Sequence, residues 1–237
     1  MLRLNRILAF VWGWLLIVVF VIGSVHTMAL NDNFYIQRYE KMNLAKSLHV
    51  SQDDLNKSIE LLLDYIRDDT DSLEDTITIN GYTQNTFNER EKSHMVDVKA
   101  LYQNAIGVGK ASFVCLLVIL FYLAITQKKK TVAYLTKGLL QASVCLIMVF
   151  VFFGIWIGID FTGFWTWFHT IFFSNNLWLL NPATDFMINM LPETIFYQLV
   201  LSCVLMVCVL IIPCIVFSIY YQRKRAPIGF EYEDHIS

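Results

Sequence analysis

Residues 7–27, ILAFVWGWLLIVVFVIGSVHT, form a run of 21 positions without Asp, Glu, Lys or Arg. A helix crossing a bilayer needs about 20 mostly apolar residues, because each residue advances only ~1.5 Å across ~30 Å of hydrocarbon. This run meets the requirement, and three others come close or exceed it: residues 112–126 with their flanks, 139–159 and 196–221. The whole chain agrees with them, since 56% of its residues are hydrophobic and only 16% charged, with mean hydropathy +0.51. That is too apolar for a soluble domain. The fold class expected is a mainly α integral membrane protein, with four transmembrane helices plus an extracytoplasmic helical domain that carries a small β-hairpin.

The distribution of charge orients the spans, while the formal net charge of -2 says little. Arg3 and Arg6 precede the first run, Lys128, Lys129, Lys130 and Lys137 lie between the second and third, and Arg223, Lys224 and Arg225 follow the fourth. Short flanks rich in Lys and Arg stay in the cytoplasm. Residues 160–193 contain neither Lys nor Arg, which puts them outside. The polar stretch after the first run then lies outside as well, because long segments translocate largely regardless of charge. The expected order is transmembrane helix 1 over 1–27, an extracytoplasmic domain over 28–107, transmembrane helix 2 over 108–126 and a cytoplasmic loop over 127–138. Transmembrane helix 3 over 139–159, an extracytoplasmic amphipathic aromatic loop over 160–195, transmembrane helix 4 over 196–221 and a cytoplasmic tail over 222–237 complete it. A cleaved signal peptide is the rival reading of the first run, but its apolar region is too long.

All five cysteines, Cys115, Cys145, Cys203, Cys208 and Cys214, fall in predicted spans. None is placed for an extracellular disulfide framework or a zinc cage, so they read as small packing residues. In the outer domain, Ser51 followed by Asp53 and Asp54 marks a helix start, and Leu55, Ile59, Leu62, Leu63 and Ile66 continue at helical spacing. Asn80-Gly81 between Ile77-Thr78-Ile79 and Tyr82-Thr83 predicts a two-residue hairpin turn. Asn88 caps a helix from Glu89 that places Glu91, His94, Asp97 and Val98 on one face. Gly107 to Gly109 reads as a hinge into the second span. Farther on, Phe161 to Phe173 is crowded with rings and reads as a helix on or dipping into the outer leaflet, with Asp185 to Leu191 as a second short amphipathic run. Pro192-Glu193 suits the first turn of the last helix.

The chemistry-bearing candidates are few. Gly107-Val108-Gly109-Lys110-Ala111-Ser112 lacks the spacing of a phosphate-binding loop, so no nucleotide is expected, nor a nucleic-acid partner. There is no Gly-x-Ser-x-Gly and no His-Glu-x-x-His, which removes serine hydrolases and familiar zinc proteases. Of five histidines, His26, His49 and His235 read as structural or solvated. His94 has Glu91 and Asp97 in reach along its helix, with Asp97 the better placed, and His169 sits among aromatic rings on the same side of the membrane. Imidazoles titrating near ~6.5 can take and return protons at neutral pH. Two could serve as base and acid in an acyl transfer, or hold zinc together with Asp97 or Asp185.

Three clusters, Glu91-x-x-His94-Met95-x-Asp97-Val98-Lys99, Phe168-His169-x-x-Phe172-Phe173-x-Asn175-x-x-Trp178 and Leu191-Pro192-Glu193, together resemble the bacterial lipoprotein intramolecular transacylase family. The resemblance covers nearly the whole chain. It implies an acyltransferase of the bacterial cell membrane, multi-pass, with cytoplasmic termini and an active site at the outer leaflet. Its substrate would be a diacylglyceryl-modified lipoprotein among membrane lipids, with the sn-2 acyl chain moving to the α-amino group of the N-terminal cysteine to give the lyso form. No cofactor and no metal are expected; ester to amide is downhill, so no ATP motif is required and none is found. On this reading His94, oriented by Asp97 or Glu91, accepts the amine proton while His169 supports the oxyanion or protonates the leaving oxygen, or the two roles are exchanged. Direct transfer and an acyl-histidine intermediate both stay open. Lys99, Asn175 and Trp178 are supporting residues that bind a headgroup or position loops. The rival functions are a metal-dependent membrane lipid hydrolase using the same histidines, and a non-enzymatic membrane sensor or assembly factor.

Overall fold

A computed structural model describes residues 2–225; Met1 and residues 226–237, which include His235 and most of the expected tail, lie outside the described residues. The chain is mainly helical. In order it forms α1 (Leu2–Ala29), α2 (Asp32–Met42), α3 (Leu44–Ser47), α4 (Gln52–Arg67), β1 (Thr76–Ile79), β2 (Tyr82–Asn85), α5 (Glu89–Gln127), a 3-10 turn (Lys128–Lys130), α6 (Thr131–Ile159), α7 (Phe161–Phe172), α8 (Phe186–Met190) and α9 (Glu193–Arg225).

Three helical stretches are long and apolar enough to cross a membrane: Arg3–Ala29, Glu89–Ile159 and Glu193–Arg225. The middle one, 71 residues, contains both α5 and α6. The chain turns between them at Lys128, whose φ of 46° and ψ of -116° are not helical, and the Thr131 hydroxyl closes the corner by donating to the Leu123 and Lys128 carbonyls. Helix α6 therefore starts at Thr131, well before the apolar run at 139, because hydropathy marks the lipid-facing part of a helix and not its ends. Within the expected loop over 127–138, only Lys128–Lys130 form the turn; Gln127 ends α5 and residues 131–138 already belong to α6.

Helix α1 lies against α5, α6 and α9, and α6 also lies against α9. The α1–α6 crossing is made by missing side chains. A Cβ on Gly138 would overlap the Ala9 carbonyl, and one on Gly13 would lie 2.9 Å from the Gly138 oxygen and the Leu139 Cα. Small residues let helix backbones approach where no hydrophobic force drives helices together. Ile17, Leu139, Ala142, Leu146 and Ile211 fill the seam around this crossing. Val118, Phe121, Met148, Phe152 and Val209 face outward, as side chains against lipid would.

The elements beyond the apolar stretches share one core, built on Tyr39, Leu55, Ile59, Leu63, Ile77, Phe87, Met95, Met190 and Ile195. Ser51 caps α4 by accepting from the Asp54 N–H (2.9 Å), and the predicted apolar stripe of α4 is the buried one. The hairpin turns at Asn80 (φ 53°) and Gly81 (φ 82°), both left-handed as a twist-matched two-residue turn requires. Ile77 anchors it under α4. Helix α5 then runs unbroken from this core through Gly107 and Gly109 to Gln127. No hinge forms at the glycines: Gly109 instead sits close against Ile22 of α1, where an added Cβ would come within 3.0 Å of the Ile22 side chain.

Candidate active site

The first turn of α5 is fixed by a reciprocal cap. The Asn88 side chain accepts from the Arg90 and Glu91 N–H groups, and the Glu91 carboxylate accepts from the Asn88 N–H at 2.8 Å. The other Glu91 oxygen accepts from the Met187 N–H on α8 at 2.5 Å. Glu91 is almost wholly buried, and that burial raises its pKa against the opposing hydrogen bonds from Asn88 and Met187. Beside it, Asp185 accepts from Asn88 Nδ2 (2.9 Å), the Asn181 N–H (2.7 Å) and Thr184 (2.8 Å). Partial desolvation works against the Asp185 charge, but those donors prevail and hold its pKa below the ordinary carboxylate value. Glu91 and Asp185 thus strap α5 to the segment 181–187, and Glu91 does not reach His94.

One turn on, His94 points into the space where α7 ends. Asp160 caps α7 by accepting from the Gly163 N–H (2.8 Å), and the helix carries His169 near its end. The two imidazole centroids lie 6.2 Å apart and both rings rest on Phe173, at 5.2 Å for His94 and 5.6 Å for His169. Trp165 (4.8 Å), Phe168 (5.6 Å) and Trp178 (4.9 Å) complete an aromatic box around His169. His94 is 7% exposed and His169 8%.

Burial sets the charge state of both rings. It pushes the His94 pKa down to about 4, with the neighbouring His169 adding to the effect and the Asp97 charge opposing it. The pKa of His169 is lowered too, again by burial, against a hydrogen bond to the Trp165 carbonyl. That hydrogen bond, 2.7 Å from Nδ1, also decides the tautomer. A carbonyl oxygen can only accept, so Nδ1 carries the proton and the lone pair of neutral His169 sits on Nε2. His94 Nδ1 is shielded and, among the described residues, has no hydrogen-bond partner.

Asp97 does not orient His94 by a hydrogen bond. Its Oδ2 accepts from Asn175 Nδ2 (2.8 Å), the Asn175 carbonyl accepts from Trp178 Nε1 (2.9 Å), and Trp178 stacks on His169 at 29°. Asp97, Asn175 and Trp178 therefore form one chain that ends on His169, while Asp97 acts on His94 only through its charge. Lys99 is elsewhere: its ammonium pairs with Asp68 at 2.5 Å and lies over the Tyr65 ring, pinning α5 to the end of α4. Sequence reasoning also missed Arg90, which donates to the Asn176 carbonyl (2.7 Å) and weakly to that of Leu177 (3.4 Å), clasping the same loop. Local sequence held no signal for it, since the partners lie 86 and 87 positions away. Among the described residues no group of three or more His, Cys, Asp and Glu side chains is arranged to hold a metal ion. A pair of neutral imidazoles in an apolar box, one with a fixed lone pair, can move a proton between two positions on a bound molecule.

A family model described as lipoprotein intramolecular transacylase Lit matches residues 10–196. Comparison with curated protein sequences gives no match. Among solved structures, the fold is similar to an in meso structure of the membrane integral lipoprotein intramolecular transacylase Lit from Bacillus cereus, with TM-score 0.74 and 18% identity over 94% of this chain and 98% of that one. Two structures of the B. cereus protein carrying a mutation at a histidine are also similar. The form with arginine there has TM-score 0.69 and 18% identity, covering 94% of this chain and 93% of that one. The form with alanine has TM-score 0.69 and 18% identity over 95% and 97%.

Proposed function

The chain belongs to the lipoprotein intramolecular transacylase (Lit) family and is an acyltransferase, and we propose that His94 and His169 carry its proton transfers. The substrate is a diacylglyceryl lipoprotein whose sn-2 acyl chain passes to the α-amino group of its N-terminal cysteine. Donor and acceptor then sit on one molecule. Holding amine and ester in near-attack geometry is worth roughly 7 kcal/mol or more, so no activated donor is needed.

His169 is the base in this reading, because the Trp165 carbonyl leaves the Nε2 lone pair free. As the amine nitrogen bonds to the ester carbon, its acidity rises and Nε2 takes the proton. His94 donates an N–H to the oxyanion. When the carbon–oxygen bond to glycerol breaks, the proton on His169 goes to the departing sn-2 oxygen, so the amine loses one proton and the alcohol gains it. The Asp97–Asn175–Trp178 chain holds the His169 ring for both steps. The observation that carries the assignment is two buried imidazoles 6.2 Å apart, only one of which has its tautomer fixed.

Four membrane crossings follow from counting α5 and α6 separately. The lysines at their junction and the basic ends of α1 and α9 support cytoplasmic placement of those three points. The domain from 28 to 107, the aromatic segment from 160 to 195 and the histidine pair then lie on the outer side, at the depth of a lipid ester. Mass spectrometry of a lipoprotein's N-terminal peptide tests this in cells carrying wild type, His94→Ala or His169→Ala. The acyl group should reach the cysteine nitrogen only with wild type, and a lyso product from either variant would remove that histidine from the mechanism.

A further inference from the structure

Away from the histidines, α1, α5 and the end of α4 enclose two adjoining cavities that share His26 and Arg67 in their walls, of about 600 and 410 Å³. They differ in chemistry. The larger is floored by Val19, Ile22, Ile106 and Phe113 and opens beside Gly23, where a built Cβ would meet nothing within 4 Å. The smaller is walled by Asn31, Asp32, Asn33 and Arg67. The space is amphipathic along its length, apolar at one end and hydrogen-bonding at the other.

Its charges are layered. At the polar end Arg67 is outnumbered by carboxylates, pairing with Asp32 (3.6 Å), Asp69 (3.1 Å) and Asp64. Asp32 Oδ1, shielded from solvent, faces Arg67 at 3.6 Å without a hydrogen bond, while the Asp32 side chain as a whole stays 39% exposed. His26 and Tyr102 bond to each other across the middle at 2.6 Å. Lys110 lines the apolar cavity two helical turns beyond Tyr102, about 12 Å along α5. It has no carboxylate partner among the described residues, and its long stem allows the ammonium to reach back toward the polar end. A ligand that satisfies this sequence has acyl chain, then anion, then a cation able to donate a hydrogen bond.

We infer that this cleft binds a diacyl glycerophospholipid with a primary ammonium in its headgroup, of the phosphoethanolamine type. An acyl chain fills the space beside Gly23, the phosphate meets Lys110 and the His26–Tyr102 pair, and the ammonium enters the exposed carboxylate cluster of Asp32, Asp64 and Asp69. A choline headgroup brings a cation but no N–H to donate to those carboxylates. A glycerol headgroup brings no cation to the carboxylates. The lipoprotein substrate has an ammonium and acyl chains but no phosphate between them for Lys110, which distinguishes this cleft from the transacylase site.

Native mass spectrometry of the full-length protein, released from micelles containing equal dioleoyl-phosphatidylethanolamine, -phosphatidylglycerol and -phosphatidylcholine, tests the inference. One phosphatidylethanolamine per chain should be retained at least tenfold over either competitor. Gly23→Phe, whose Cβ enters open space, and Lys110→Glu should each cut that retention at least tenfold. Both should turn over a diacylated lipopeptide in lipid-free detergent within twofold of wild type. Equal retention of the three lipids, or full retention by Gly23→Phe, overturns the inference. So does loss of lipopeptide turnover in Gly23→Phe with the thermal midpoint unchanged, since the cleft would then be the substrate's own path.

Discussion

Lowering pH should destabilise this protein through His94 in a measurable window. The unfolded ring titrates near 6.5 and the folded one near 4, so between those values only the unfolded state binds the proton. Stability is therefore complete above pH 6.5 and falls as pH drops toward 4. The interval of about 2.5 decades, at ~1.36 kcal/mol each, corresponds to roughly 3 kcal/mol. No solvent discount applies, because the ring is 7% exposed. His94→Gln lacks the titration, and subtracting its profile from that of wild type removes the groups not coupled to His94, leaving the ring together with its coupling to His169. Guanidinium unfolding in neutral-detergent micelles between pH 4 and 7.5, followed by tryptophan fluorescence, gives the difference. Wild type should lose roughly 3 kcal/mol more than the variant over that range, with a 13C-labelled His94 resonance titrating near 4. Parallel profiles, or a resonance midpoint near 6.5, would refute the claim that burial keeps His94 neutral.

Other perturbations separate support from chemistry. Asn175→Leu breaks both the Asp97 hydrogen bond and the loop turn, and should lower kcat about tenfold, within the cost of losing one or two buried hydrogen bonds. Asp97→Asn keeps an acceptor and should lose far less, which single-turnover assays would resolve. Arg90→Ala should raise KM more than it lowers kcat, because it frees the loop 175–178 without touching either ring. Gly138→Leu should prevent accumulation of folded protein while Gly154→Leu is tolerated, since only the first Cβ meets a neighbouring backbone, and detergent-extracted yield with thermal midpoint reports both.

What was legible in the sequence was local. The apolar stripe of α4, the cap at Asn88 and the Asn80-Gly81 turn depend on neighbours within four positions, and all three stand as the spacing predicts. Tertiary partners were another matter. Helical spacing correctly placed Glu91, His94 and Asp97 on one side of α5, but sharing a face does not say what the other side of the contact will be. Glu91 found the Met187 N–H and Asp97 found Asn175, 96 and 78 positions away, so neither carboxylate was left for the imidazole. Lys99 was drawn to Asp68 by the packing of α4 on α5. The glycines at 107 and 109 permit a bend without requiring one, and close packing of Gly109 on α1 favours the straight helix.

The aromatic box bears on why an acyl group so placed would reach nitrogen and not water. An intramolecular amine acts at an effective concentration on the order of 10⁵ M or more, against ~55 M for bulk water, so proximity alone favours aminolysis. Excluding water from the carbonyl is then not what Trp165, Phe173 and Trp178 are needed for. Their effect falls on the imidazoles. Were His169 solvated, its ordinary pKa near 6.5 would leave a substantial fraction protonated at mildly acidic pH, and a protonated ring cannot accept from the amine. Burial lowers that fraction, at a cost in stability that the core around Tyr39, Ile59 and Phe87 must offset. The strap of Glu91 and Asp185 onto α5 joins that core to the site. Weakening the strap should therefore reappear as a shift of the acid limb of activity toward neutral pH, before any loss of the fold itself.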